Sequence, residues 1–190
     1  MNFKYLKFAL IIFLLFLFLS DVNAEDDKSF SPYVDSEGGI SLPEDFREKW
    51  EFLGAWVVPE LPDGKKTDGY GFHDVFASPG TAEAYKNGND KFKDGTVLIK
   101  EIRSIKSGAY TTGPEVLYAS DKILWFVMIK DQQGRFAKNA NWGDGWGWAL
   151  FMADDPSKNA STDYKKDCLG CHIPAKKTGW VYTEAYPTLK

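Results

Sequence analysis

The longest apolar block in the chain, Ala9–Leu19, comes first. Lys4 and Lys7 precede it and Val22-Asn23-Ala24 follows. A basic start, an apolar run and a small residue at the end are the parts of a secretory leader. The run is well short of the ~20 apolar residues that span a bilayer. Residues 1–24 are therefore expected to be a signal peptide cut near Ala24, with the remainder exported, periplasmic and soluble. No later segment is apolar for long enough to cross a membrane.

Beyond the leader the pattern shortens into strands and turns. Residues 25–41 are charged and polar around Gly38-Gly39 and read as a flexible lead-in. "LPEDFREKW" suits a short helix with Asp45 as its cap. "EFLGAWVVPE" reads as a strand ended by Pro59, "LPDGKKTDGYG" as a loop, and "FHDVFA" as an alternating strand. Ser78-Pro79 and Asn87-Gly88 bracket a second short helix. "DGTVLIKEI" turns at Asp94-Gly95 into a strand. "ILWFVMIK", 123–130, is nearly continuous in apolar residues and predicts a central strand. "GWGWALFMA" predicts one more. "STDYKKDCLGCH" predicts a helix capped near Ser161 or Thr162, and the aromatic tail after it predicts coil. The fold class that follows is α+β: a small, mainly antiparallel sheet domain over 42–190, with short helices and the cysteine-bearing helix last.

Composition changes this picture in three ways. Residues 25–190 suit one domain with a proper core. Removing Lys4, Lys7 and Asp21 with the leader moves the net charge from −4 to about −5, which argues against nucleic acid as a partner. Aromatic residues make up 16% of the chain, with seven tryptophans, enough to pack against a large flat ligand as well as to fill a core.

Both cysteines and one of the two histidines fall in "DCLGCHIP", 167–174. Three chemistries compete for such a motif. A structural zinc site needs four ligands, and Cys168, Cys171, His172 and His73 would have to supply them. Adjacent side chains on a helix diverge by about 100°, which makes Cys171 and His172 awkward co-ligands. A dithiol redox site prefers the mouth of a helix in a βαβ setting, which is absent here. Covalent haem attachment fits best. Thiols three residues apart lie one above the other on a helix, placed for thioethers to the two haem vinyls, and the next residue brings an imidazole under the iron. Such attachment belongs to exported chains, in keeping with the leader.

An electron-carrying small cytochrome carries a methionine ligand well downstream of its motif. Here nothing after His172 is Met or His. Met128 and Met152 fall in expected strands, where core filling is the simpler role. The sixth side of the iron is therefore expected to be open to a small molecule.

"LPEDFREKW", "VFASPGTAEAY", "KFKDGTVLIKE", "KDQQGRFA", "GWALF" and "CLGCHIPAKKTGWVYTEAYPTL", in this order, resemble the cytochrome P-460 family, related to the β-sheet cytochromes c-prime. The likeness covers nearly all of 42–189. It implies a β-rich mono-haem domain, often a homodimer, with haem c between the sheet and the C-terminal motif. It also implies oxidation of hydroxylamine, with electrons leaving to a soluble cytochrome acceptor. In the oxidising members a lysine of the strand matching "GTVLIKE" is joined to the haem rim, which assigns that position to Lys100. On its own, Lys100 shares a strand face with Leu98 and Ile102, where an amine can also snorkel to water. His73 falls near a basic position of the family's distal pocket. It could bond a bound ligand, move protons or ligate the iron, or be an ordinary half-buried histidine. One departure stands out. Where oxidising members carry a carboxylate, this chain has Phe126, which offers an apolar wall and no proton acceptor. That favours the alternative of a nitric-oxide-binding cytochrome without turnover, with simple electron transfer as a third reading. Lys176 and Lys177 follow the motif as solvated charges, as partners of a haem propionate, or as residues that steer an acidic electron partner.

Overall fold

The computed structural model describes residues 30–190 except 61–62, 67–68 and 89–90; the expected signal peptide lies outside the described residues. Among these, seven strands form one sheet: β1 (Glu51–Val58), β2 (Gly71–Ala77), β3 (Val97–Tyr110), β4 (Gly113–Lys130), β5 (Trp142–Gly143), β6 (Trp146–Met152) and β7 (Asp155–Asn159). Their order is β1-β2-β3-β4-β6-β5, with β7 also on β6, and every pair is antiparallel. Short helices α1 (Phe46–Lys49), α2 (Thr81–Asn87), α3 (Tyr164–Asp167) and α4 (Leu169–His172) complete the α+β architecture.

The apolar run 123–130 lies between β3 and β6, and the residues of these strands alternate between two buried faces. On one face Val75, Leu98, Met128, Trp146 and Trp148 pack against the C-terminal segment through Tyr164, Cys168, Val181 and Tyr186. On the other, Ile99, Trp125, Val127, Ile129 and Phe151 pack beneath Ile40, Phe46 and Trp142. Burial on both sides explains why these strands read as nearly unbroken apolar runs.

The second face shows why the lead-in is not loose where it is described. Phe30 meets the rings of Phe136 and Trp142, and the Trp142 indole donates to the Gly38 carbonyl at 2.7 Å. Val34 and Ile40 form an isolated antiparallel bridge. The charged residues between these apolar anchors face outward, so composition alone suggested a loose segment.

One element goes unannounced in the sequence, and one further expectation needs correction. β3 and β4 run past the sheet as a two-stranded hairpin from about Ser104 to Lys122, where the sequence pattern is too mixed to announce strands. The helix expected over 161–172 is broken at Cys168, whose backbone (φ −128°, ψ −46°) ends α3 and begins α4. Its cap is Asp163, which accepts the Lys165 N–H, rather than Ser161 or Thr162. The Asp167 carboxylate takes the Thr162 and Asp163 N–H groups instead, drawing the entry to α3 into a tight turn.

The chain after His172 forms 3-10 turns (Ile173–Thr178, Thr183–Ala185, Pro187–Leu189) that lie back across β1. Gly54 permits this approach, because a Cβ there would sit 2.7 Å from the Ala185 carbonyl oxygen. Thr188 donates to the Phe52 carbonyl at 2.9 Å. A β-bulge in β1 lies between the Phe52–Phe76 and Gly54–Val75 pairs, and it turns Leu53 toward the face that carries the tail.

Candidate functional site

The antiparallel register aligns two rows across the first face. Trp56, His73, Ile102 and Leu124 are successive partners in one row; Val75, Lys100 and Phe126 are successive partners in the next. Side chains on one face of a strand recur every second residue, so these rows are neighbours. Helices α3 and α4 close over them. Between sheet and helices lies a cavity of about 390 Å³, within the range of cofactor and small-ligand sites. His73, Lys100, Phe126, Cys168, Cys171 and His172 all line it, so the register and the C-terminal fold-back bring the six sequence-selected residues to one place.

His172 ends α4. Its Nδ1 lies 2.7 Å from the Trp180 carbonyl oxygen. A carbonyl can only accept, so Nδ1 carries the proton and Nε2 keeps its lone pair. This is the tautomer a metal-binding imidazole needs, held by the kind of outer contact that orients such ligands. Trp148 meets the ring edge to face at 5.0 Å and Tyr182 lies 5.6 Å away. Burial lowers the pKa of His172 to about 4, so the ring is neutral at pH 7.

The loop that supplies the Trp180 carbonyl is bent by two consecutive residues at positive φ, Gly179 (+70°) and Trp180 (+72°). Its other carbonyl, Gly179 O, accepts from the Trp146 indole at 2.9 Å. Tyr182 donates from its hydroxyl to the Cys171 carbonyl. The motif is thus tied at Cys171 and His172 by hydrogen bonds between side chains and backbone carbonyls.

Both cysteines are free thiols, Cys168 buried and Cys171 exposed. Burial pushes the Cys168 thiol up to about 11, and the Ser161 hydroxyl lies 3.9 Å from its sulfur. Among the described residues no three His, Cys, Asp or Glu side chains converge as a cage for a metal ion. The donor set is instead one oriented imidazole with two thiols beside a largely apolar cavity. Those residues fit a haem held by two thioethers and one axial nitrogen.

Lys100 rises from β3 with its Nζ 4.6 Å from the centre of the Phe126 ring. Burial, the largest cause, drives its pKa below the ordinary lysine value. His73 donates from Nε2 to the Gly69 carbonyl, and among the described residues its buried Nδ1 has no hydrogen-bond partner. Burial, and more weakly the charge of Lys100, lowers its pKa to about 4. Asp144 accepts the Tyr164 hydroxyl at 3.0 Å and so helps seat α3.

Sequence reasoning did not pick out several walls of this site. Trp56, Trp148, Tyr182 and Met128 line the cavity, and Tyr186 stacks on Trp56 at 5.6 Å with its ring tilted by only 10°. The aromatic load was the signal that could have found them. On the opposite face of the sheet the buried Glu101 carboxylate receives Trp125 Nε1 at 2.7 Å and Arg103 at 3.2 Å, and pairs with Arg47. Its alternation with Val97 and Ile99 marked it as inward-facing.

Comparison with curated proteins finds no significant match. The sequence model of the Cytochrome P460 family matches residues 43–183, a span that holds every cavity-lining residue named above. The chain belongs to the cytochrome P460 family, and its cofactor is haem c.

Proposed function

We propose that the chain is an exported, periplasmic enzyme that oxidises hydroxylamine. The observation that carries this reading is the Lys100 amine, held beside the segment that binds the cofactor rather than at the surface. Bound haem would supply a redox-active iron for a small nitrogen compound. Cys168 and Cys171 would hold it through thioethers, and His172 would offer its Nε2 to the iron. The buried Lys100 amine is biased toward its neutral form, whose lone pair could bond a carbon at the edge of the macrocycle; that carbon and the amine would each give up a hydrogen, with a peroxide taking the two electrons and two protons to become water. His73, neutral at pH 7, accepts protons from substrate; hydroxylamine releases three protons and three electrons on becoming nitric oxide. Phe126, Trp56 and Trp148 exclude water. Electrons pass to a soluble cytochrome. A second copy of the chain is a further expected neighbour. Its support is the protruding β3–β4 hairpin, where Tyr110 and Leu117 are exposed on a two-stranded ribbon of the kind that is marginal alone.

A second reading rests on Phe126. An apolar ring in place of an acid favours a neutral diatomic gas, which makes the chain a nitric-oxide-binding cytochrome without turnover. Intact mass, an alkaline pyridine spectrum and turnover separate the readings. The enzyme reading expects one haem per chain, a spectrum shifted from that of ordinary haem c and restored by Lys100→Ala, and acceptor-dependent loss of hydroxylamine. An ordinary spectrum from the unaltered protein overturns the lysine link. Tight nitric oxide binding with no turnover across pH and acceptors overturns the enzyme reading.

A further inference from the structure

A second cleft, of about 900 Å³, opens beside the turns that follow His172. Lys91, Lys130, Lys176 and Lys177 line it, although the chain as a whole carries a net charge of −4. Its carboxylate, Asp131, is already engaged: Arg135 Nη1 lies 2.7 Å away, and the N–H groups of Gln133, Gly134 and Arg135 donate to it. Among the described residues Lys130, Lys176 and Lys177 form no salt bridge. Lys130 holds its Nζ 4.8 Å from the Trp146 ring, and Lys176 holds its own 5.3 Å from the Trp180 ring. The cleft is therefore a cationic patch over buried indoles, on a chain that elsewhere repels acidic surfaces.

The wall of this cleft is wired to the cofactor site. Trp146, a wall residue, donates to the Gly179 carbonyl at 2.9 Å, and the next carbonyl, of Trp180, accepts from His172 Nδ1 at 2.7 Å. Two hydrogen bonds and one peptide unit thus connect the axial imidazole to an indole beneath Lys130. We propose that the lysine cleft is the docking site for the acidic face of a one-electron acceptor protein, with Trp146, Gly179 and Trp180 as the route to His172. This rests on the redox reading above. At each encounter one electron leaves the ferrous centre, which becomes ferric, and the acceptor is reduced by one electron.

The test uses the holoprotein and two probes. Decaglutamate, a stand-in for an acidic surface, is titrated while the Trp146 indole N–H is followed by NMR. The dithionite-reduced protein is then oxidised with ferricyanide, an anion, and with hexaammineruthenium(III), a cation. The expected results are a salt-sensitive shift of the Trp146 signal, and binding weakened about tenfold or more in Lys130→Gln/Lys176→Gln/Lys177→Gln. In that variant ferricyanide oxidation slows by a similar factor while the cationic reagent is not slowed. Circular dichroism of the variant verifies its fold. Decaglutamate that shifts signals elsewhere, fails to bind, or binds the variant equally well overturns the docking site. So does binding to anionic phospholipid vesicles in preference to the peptide. Equal effects on both small oxidants overturn the electron route. A colourless protein overturns the cofactor assignment and the route with it, while the peptide titration still decides the docking.

Discussion

Lys100 and Phe126 are direct cross-strand partners in β3 and β4, and the lysine Nζ lies 4.6 Å from the centre of the phenyl ring. The contact joins the position that the family resemblance assigns to a haem-linked lysine to the position where it implies a carboxylate. A cation over an aromatic face is attracted to it, but the ring accepts no proton. Phe126→Glu supplies an acceptor at that position, and the neighbouring amine offsets part of the cost of burying the carboxylate. The expected outcome is a rise in kcat for hydroxylamine of about 10–100-fold, with weaker binding of carbon monoxide. Steady-state turnover and gas titration measure both. An unchanged or lower kcat in a folded, haem-replete variant removes Phe126 as the limit on turnover.

His73 gives a pH signature in stability. Its pKa is 6.5 in the unfolded chain and about 4 in the folded protein, chiefly because burial disfavours the charged ring. Between these values the unfolded chain binds more protons, so stability falls as pH drops from about 6.5 to about 4 and levels off below. The loss assigned to His73 is about 2 kcal/mol, reduced from the full linkage value because the ring borders a cavity rather than solid core. Urea unfolding of the holoprotein across this range should show a shallower slope for His73→Gln. Identical slopes would mean that the ring protonates in the folded state as readily as in water.

Much of this site was legible because strand periodicity and a five-residue motif are local signals. The pairing of Val75, Lys100 and Phe126 depends on register, but the alternation of Leu98, Lys100 and Ile102 already placed the lysine on an apolar face. What was not legible depends on contacts distant in sequence. Phe30 is held by Phe136 and Trp142, so the lead-in appeared loose until its partners were in place. The hairpin beyond Arg103 carries mixed, partly exposed residues and is defined by its cross-strand ladder rather than by any apolar pattern. The break at Cys168 and the turn that the Asp167 carboxylate ties at the entry to α3 depend on backbone geometry that no residue type announces.

Gly179 tests the support beneath His172. It adopts φ +70°, and a Cβ at this position would meet nothing within 4 Å. Gly179→Ala therefore costs only backbone strain, about 1–2 kcal/mol, or a fall in Tm of about 2–8 °C. Because the same turn sets the Trp180 carbonyl against Nδ1, the absorption spectrum should also shift as the imidazole loosens. Calorimetry and visible spectroscopy check the two effects together. A Tm equal to that of the unaltered protein would show that the turn relaxes freely into another conformation.

Glu101 separates fold from function, since it lies on the sheet face away from the cavity. Its carboxylate is buried, with Trp125 Nε1, Arg47 and Arg103 as partners. Glu101→Ala leaves the indole unpaired and two guanidinium groups facing each other without the anion between them. Removing one member of a buried charge network costs about 3–5 kcal/mol. Glu101→Gln retains an acceptor for the indole and should cost less. Turnover per folded, haem-replete molecule should change little in either variant, because no Glu101 partner lines the cavity. Denaturant unfolding beside active-site titration distinguishes these outcomes: a loss of turnover in molecules that remain folded would show that the two faces of the sheet are coupled through β3.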